Sequence, residues 1–411
     1  MPIDFNRVPP KVDVPPAPRL SILAWLLLFV LIMGAGATLT ILLWPTGWPT
    51  NTLLFGLCVA GLPFVAFTVL LLARLGYGYA CRNEAIVTNK VSERIEQDCH
   101  DRASRPLAVL GHAWCFSSDM KENTVDSVLG GGLRMEPRPS ATVGDKQVLA
   151  RWLVLPNVTF SPGNELSEYA RQQAVITWLL ARLLERLAST LTSLPRDTRL
   201  LAELSVFPVG HVGAVEAQLR EYAAARAPGL KIDVKRTEEA VSLFRVDGWC
   251  DRRDPQSPRL LIAIELRNAI SALLSDGVAE AGVALLVGHP QLSSSVPSRL
   301  CLHRPASGAL DETATTLALA ARWGRTALEK LSAVWSHGLH LDQIGAVRQG
   351  SAFTDHTPWF PLETSVGDCS SVGPWLTLAL AAENAQTTGE PQLVLCREGD
   401  DVLALVCKKK T

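Results

Sequence analysis

Two uncharged apolar stretches near the N-terminus constrain this chain more than any other feature. Leu20–Trp44 and Asn51–Ala73 contain no Asp, Glu, Lys or Arg. Each exceeds the ~20 residues a helix needs to cross a ~30 Å hydrocarbon core. The first stretch is too long for a signal peptide, no small-residue cleavage site follows it, and the second begins almost at once. The sequence therefore predicts a transmembrane helical hairpin. Pro45, Gly47 and Pro49 break the helix in the link, and Trp44 and Trp48 suit the membrane interface. Arg7, Lys11 and Arg19 precede the hairpin, Arg74, Arg82, Lys90 and Arg94 follow it, and the link is uncharged. The positive-inside rule then places both ends in the cytoplasm. Pro63 is expected to kink the second span. Neither span carries an ionisable residue, which favours an anchor over an ion or proton path.

Four segments are expected. Residues 1–19 hold six prolines and read as a disordered cytoplasmic tail. Residues 20–74 form the hairpin, 75–104 a polar helical stalk, and 105–411 a cytoplasmic α/β domain. The balance of 39 basic against 40 acidic residues argues against a nucleic-acid binder. Nine cysteines without a CxxC pair make neither a disulfide framework nor a zinc site, and are read as reduced thiols. No P-loop, GxGxxG, HExxH or GxSxG occurs, so no cofactor is expected, and the missing nucleophile elbow argues against an ordinary α/β-hydrolase lipase.

From Arg105 onward strands and helices alternate. Leu107–Leu110 reads as a strand, 117–147 as a polar, Gly-rich excursion, and Gln147–Val158 as a strand. Leu166–Leu191 is an amphipathic helix with Ile176, Leu179, Leu180, Leu183, Leu184 and Leu187 on one face. Strands are expected at 200–207, 231–234, 259–265, 278–287, 300–302 and 333–335. Helices are expected at 212–227, 314–331 and 375–385. A closing hairpin pairs 392–396 with 402–406.

Candidate chemistry is sparse. His337, His340 and Asp342, with Asp355 and His356 nearby, are too loosely spaced for the three or four convergent ligands a metal needs, and no metal is expected. Cys369 follows Asp368, whose charge disfavours a thiolate. Three segments occur in order. An acid-Gly turn, Asp276-Gly277, enters the small-residue strand ending at Val287. Val334-Trp335-Ser336-His337-Gly338 is a strand ending in His-Gly. Glu363-Thr364-Ser365-Val366-Gly367-Asp368 leads through Cys369-Ser370-Ser371 into a helix and the terminal hairpin.

This order resembles the C-terminal half of the thiolase-like fold of ketoacyl synthases. The resemblance covers about Arg259–Lys408 and implies a layered thiolase-like α/β domain. It also implies where catalytic groups belong. His337 matches the first catalytic histidine, Glu363 stands at the lysine position, and Asp368 at the second histidine. The nucleophilic cysteine belongs at the start of a long buried helix, but the corresponding stretch holds Cys250 before the charged run Asp251–Asp254. Claisen chemistry needs a thiolate beside donors that stabilise an enolate and an oxyanion, which two carboxylates would oppose. The resemblance thus implies a degenerate, non-catalytic domain. A membrane hairpin carrying such a domain resembles the adaptor proteins associated with type VI secretion effectors, which implies a protein partner, an effector or spike component. Thiolase-like domains commonly dimerise, so a homodimer is also implied. The alternative is an acyl-transfer or condensing enzyme using His337 with Cys250 or Cys369.

Overall fold

The structure, a computed structural model, describes residues 5–251, 257–292 and 300–410. The chain divides into two compact units, Ile3–Cys99 and His100–Thr411. Part of the charged run after Cys250 lies outside the described residues.

In the first unit, α1 (Ile22–Leu43) is followed by α2 (Leu53–Gly56) and α3 (Leu62–Ala103). A wide helical turn at Leu57–Gly61 joins the last two, making Leu53–Ala103 one continuous helix. The wide turn falls just ahead of Pro63, whose missing N–H and bulky ring interrupt the regular ladder. Both helices are long and apolar enough to cross a membrane, and α1 buries none of its side chains. They touch where a glycine permits it: a Cβ at Gly36 would lie 2.2 Å from Pro63 Cγ. Thr40 Oγ1 donates to Cys58 O at 3.1 Å across the pair, and the Phe67 ring meets Phe29 edge-on with centroids 5.0 Å apart.

Residues 9–20, in the segment expected to be a disordered tail, form no helix or strand, and several of them contact α3. Asn89 bonds both backbone groups of Val12 at 2.8 Å. Prolines pre-set φ and so reduce the entropy lost on ordering this segment.

The second unit is built on one long sheet. Its strands are β1 (Leu107–Cys115), β4 (Arg199–Phe207), β5 (Lys231–Thr237), β6 (Arg259–Glu265), β7 (Ala281–Gly288), β8 (Leu300–Leu302), β9 (Ala306–Ala309), β10 (Ala333–His337), β11 (Trp359–Pro361), β12 (Gln392–Glu398) and β13 (Asp401–Lys409). A separate ribbon pairs β2 (Arg138–Pro139) with β3 (Gln147–Val148). The helices are α4 (Val125–Leu129), α5 (Glu165–Ser193), α6 (Val212–Arg226), α7 (Arg245–Asp251), α8 (Thr313–Trp323), α9 (Leu341–Gly350), α10 (Leu362–Ser365) and α11 (Gly373–Thr388).

The order along the sheet is β11-β10-β12-β13-β8-β1-β7-β6-β4-β5, with β9 also on β13. It contains the same arrangement twice. In the first half β4 runs parallel to β5 and β6, and β7 runs antiparallel to β6 and β1. In the second half β10 runs parallel to β11 and β12, and β13 runs antiparallel to β12 and β8. The halves join through the antiparallel pair β1–β8. This is the layered α/β arrangement implied by the thiolase-like resemblance, with the His-Gly strand, the following helix and the closing hairpin in their expected order.

The halves differ in the helix that precedes their third strand. α11, between β11 and β12, has 16 residues and is buried along most of its length. Its counterpart between β5 and β6 is α7, of 7 residues. α11 packs with both halves in one apolar cluster that includes Trp114, Leu285, Trp335 and Leu405. On the other face, α5 buries its leucine stripe against β1, β4, β6 and β7. Burial of each leucine contributes about 2 kcal/mol. Asn164 caps this helix by accepting from Leu166 N and Ser167 N.

Two expected elements are shorter. The strand at 147–158 is confined to Gln147–Val148. Beyond it, Leu149 N and Leu153 N donate to the carboxylates of Asp276 and Glu280 rather than to a ladder. The helix at 314–331 ends at Trp323, because Arg325 adopts φ 48° and closes the turn. The excursion at 117–147 contains the short helix α4.

Candidate functional site

The sequence-selected residues converge at the end of β10. His337 closes that strand and its side chain is 7% exposed. Its Nε2 lies 3.6 Å from Glu363 Oε1 and 3.5 Å from Asp368 Oδ1. These are ion-pair distances, too long for good hydrogen bonds.

Local backbone geometry fixes each partner. Glu363 sits at the start of α10 and accepts from Gly338 N at 2.5 Å. Gly338 has φ +78°, and a Cβ there would meet Arg397 O at 2.8 Å, so only glycine fits. Asp368 N donates to Gly277 O at 2.7 Å, and Asp368 O accepts from Ala279 N at 2.8 Å. The acid-Gly turn singled out in the sequence is thus what holds Asp368. Gly373, the first residue of α11, abuts the imidazole: a Cβ there would fall 2.0 Å from His337 Nε2.

The nearby His337 imidazole holds the Asp368 carboxyl below its usual range, and the Ser370 N–H assists while burial opposes. Ser370 N donates to Asp368 Oδ1 at 2.7 Å. One side of the cluster is polar and was not singled out in the sequence. Arg267 pairs with Glu265 at 3.2 Å and donates to Ser370 Oγ at 2.5 Å. Ser371 Oγ donates to Glu265 Oε2 at 2.6 Å. Burial pushes the Glu265 carboxyl up. Arg267 carries no motif, and only the fold brings it to Ser370.

The two candidate thiols are placed differently. Cys369 adjoins Asp368 in the chain, but its side chain is buried and its Sγ points to Gly367 O at 3.7 Å. Burial, followed by the Asp368 charge, pushes its thiol well above the ordinary range. Cys250 is near the C-terminal end of α7, not at the start of a long helix, and is 2% exposed. It packs in the apolar cluster with Trp249 and Trp375, whose rings stack at 5.7 Å. Arg304 anchors α7 through Asp247 and Asp251.

Solved structures with similar backbones include ChlB3, an acyltransferase, at 11% identity and TM-score 0.44, with 74% of this chain and 98% of that one covered. A ketosynthase from module 6 of the bacillaene synthase of Bacillus subtilis 168 gives 12% identity and TM-score 0.49, over 74% and 71% of the two chains. Cerulenin-bound OleA of Xanthomonas campestris gives 11% identity and TM-score 0.44, over 74% and 97%. No family model matches the chain, and no curated protein matches it. The fold assignment rests on the strand order and pairing given above.

The cluster contains one imidazole, three carboxylates and one guanidinium, and both candidate thiols are buried. Among the described residues no group of three or more His, Cys, Asp or Glu is placed to hold a metal ion. His340 instead begins α9, where its N–H donates to Gln343 Oε1 at 3.0 Å. A cavity of about 620 Å³ lies away from the cluster, lined by His112, Arg186, Thr190, Glu383 and Gln386 among others.

Proposed function

We propose that this chain is a membrane-anchored, non-catalytic thiolase-like adaptor that holds a protein partner at the cytoplasmic face of a bacterial inner membrane. The observation that carries this reading is the pair of carboxylates, Glu363 and Asp368, within 3.6 Å of His337 Nε2. Negative charge developing on an enolate or oxyanion here would meet two anions where donors are required. The shortened α7 and the burial of Cys250 and Cys369 support the same reading, because both thiols are packed in the core rather than presented to a substrate. The two long apolar helices and the basic residues flanking them support the anchor and its orientation. The partner class this architecture suggests is a type VI secretion effector or a spike component.

Copurification tests the adaptor role. Full chain extracted from its native membranes in mild detergent should retain one stoichiometric protein partner, identified by mass spectrometry. His337→Ala should retain the same partner, since the histidine serves no reaction in this account. Recovery of only lipids or acyl-thioester metabolites would overturn it.

A further inference from the structure

In the first unit the N-terminal segment contacts one face of α3 through its backbone. Residues 9–18 run antiparallel to α3, and every third residue of the segment, Pro9, Val12, Pro15 and Pro18, meets the helix at Ser92, Asn89, Arg82 and Gly78. Ser92 Oγ donates to Pro9 O at 2.6 Å. Asn89 accepts from Val12 N through Oδ1 and donates to Val12 O through Nδ2, both at 2.8 Å. Arg82 Nη1 donates to Pro15 O at 3.3 Å. Lys11 Nζ stands 3.9 Å from Glu93 and 4.0 Å from Glu96. Lower down, a Cβ at Gly78 would meet Pro18 Cβ at 2.9 Å, so the glycine leaves room for the proline.

The tail repeats a motif in step with these contacts. Val8-Pro9-Pro10 recurs as Val14-Pro15-Pro16, and the second residue of each repeat offers its carbonyl to a helix side chain. A proline-rich extended strand makes no internal hydrogen bonds, so its carbonyls need outside donors. Six steps of such a strand span about 19 Å, and the ten helical steps from Arg82 to Ser92 span about 15 Å, a difference the long arginine side chain covers. Asn89 engages one residue as a neighbouring β-strand would, pairing both its N–H and its C=O. Ser92 is 1% exposed although it lies on a polar helix. Its burial accompanies the bond to the tail.

We propose that the Gly78–Glu96 face of α3 is a recognition surface for proline-rich extended peptide, and that residues 8–18 of this chain are its ligand in cis. The ligand class is a segment with two Val-Pro-Pro steps six residues apart and a lysine between them. Tethering gives the tail a high effective concentration, so the surface is closed to other peptides until the tail is displaced. This inference does not depend on the adaptor reading.

Limited trypsinolysis of the full chain in detergent micelles tests it. Cleavage after Lys11 requires the Val12 amide that Asn89 holds. Wild type should be cut there at least tenfold more slowly than the free peptide of residues 5–19. Asn89→Ala with Ser92→Ala should accelerate cleavage about tenfold, the equivalent of about 1.4 kcal/mol of lost hydrogen bonding. Ser92→Thr, which keeps the hydroxyl, should stay near wild type. Adding the free 5–19 peptide in excess should speed cleavage of the wild-type chain by competing for the face. Helix content by circular dichroism checks that the double variant is folded. Equal cleavage in wild type and the folded double variant, at the rate of the free peptide, would overturn the proposal.

Discussion

The imidazole of His337 and the first α-carbon of α11, that of Gly373, are so close that no side chain fits between them: a Cβ on Gly373 would sit 2.0 Å from His337 Nε2. The same ring nitrogen thus meets the start of α11 and lies within 3.6 Å of Glu363 and 3.5 Å of Asp368. That position suits a buried packing residue.

Gly373→Ala should destabilise the second unit by about 1–3 kcal/mol, the usual range for overpacking. The clash is with one ring, so the cost should shrink sharply in a His337→Ala background. Urea unfolding of both single variants and the double variant measures the coupling. Additive effects would mean that the two residues do not touch.

Arg171 is 2% exposed, and its guanidinium joins Glu168 and Glu280, each at 2.6 Å, with both acids also buried. The carboxylates also accept backbone N–H groups from Leu153, Arg267, Ile270 and Ser271. Arg171→Leu would leave two buried anions without their cation. It should cost about 3–5 kcal/mol, read as a lowered urea midpoint. Arg171→Lys should recover only part, because one ammonium cannot reproduce the guanidinium geometry.

Burial pushes the His303 imidazole down to about 4, with Lys408 adding to the effect. The folded state therefore keeps it neutral where the unfolded chain takes up a proton. The resulting stability is full above the unfolded value of 6.5 and is lost as pH falls toward 4. The loss is on the order of 3 kcal/mol. Unfolding free energies from pH 7.5 to 4 should show this decline, and His303→Leu should flatten it. An unchanged pH slope would place the titrating group elsewhere.

Alkaline carbonate should leave the full chain in the membrane pellet. A cysteine introduced as Trp48→Cys, in the link between the helices, should react with a membrane-impermeant thiol reagent from the periplasmic side. Labelling only after the membrane is broken would reverse the orientation.

Much of the second unit was legible because its signals are local. The leucine stripe of α5 and the all-apolar β6 and β7 declare their partners through period and composition. The sheet's internal duplication was not legible. Corresponding strands such as Leu200–Phe207 and Ala333–His337 share no motif, and the repeat exists only in their order and direction. His337, Glu363 and Asp368 were picked out because a motif order linked them. Arg267, Glu265 and Ser371 were not, since a polar wall assembled from separate loops leaves no spacing to read. The tail's contacts were not legible, because prolines signal disorder by composition while its carbonyl bonds to Ser92 and Arg82 depend on a helix some 70 residues away in the chain.

The central claim is that this thiolase-like unit performs no acyl transfer. Its most direct test is intact-mass spectrometry of the full chain in detergent micelles after incubation with acyl-thioesters. The account expects no covalent acyl adduct on wild type, and none on Cys250→Ala, Cys369→Ala or His337→Ala. An adduct on wild type that disappears in one cysteine variant and forms more slowly in His337→Ala would contradict it.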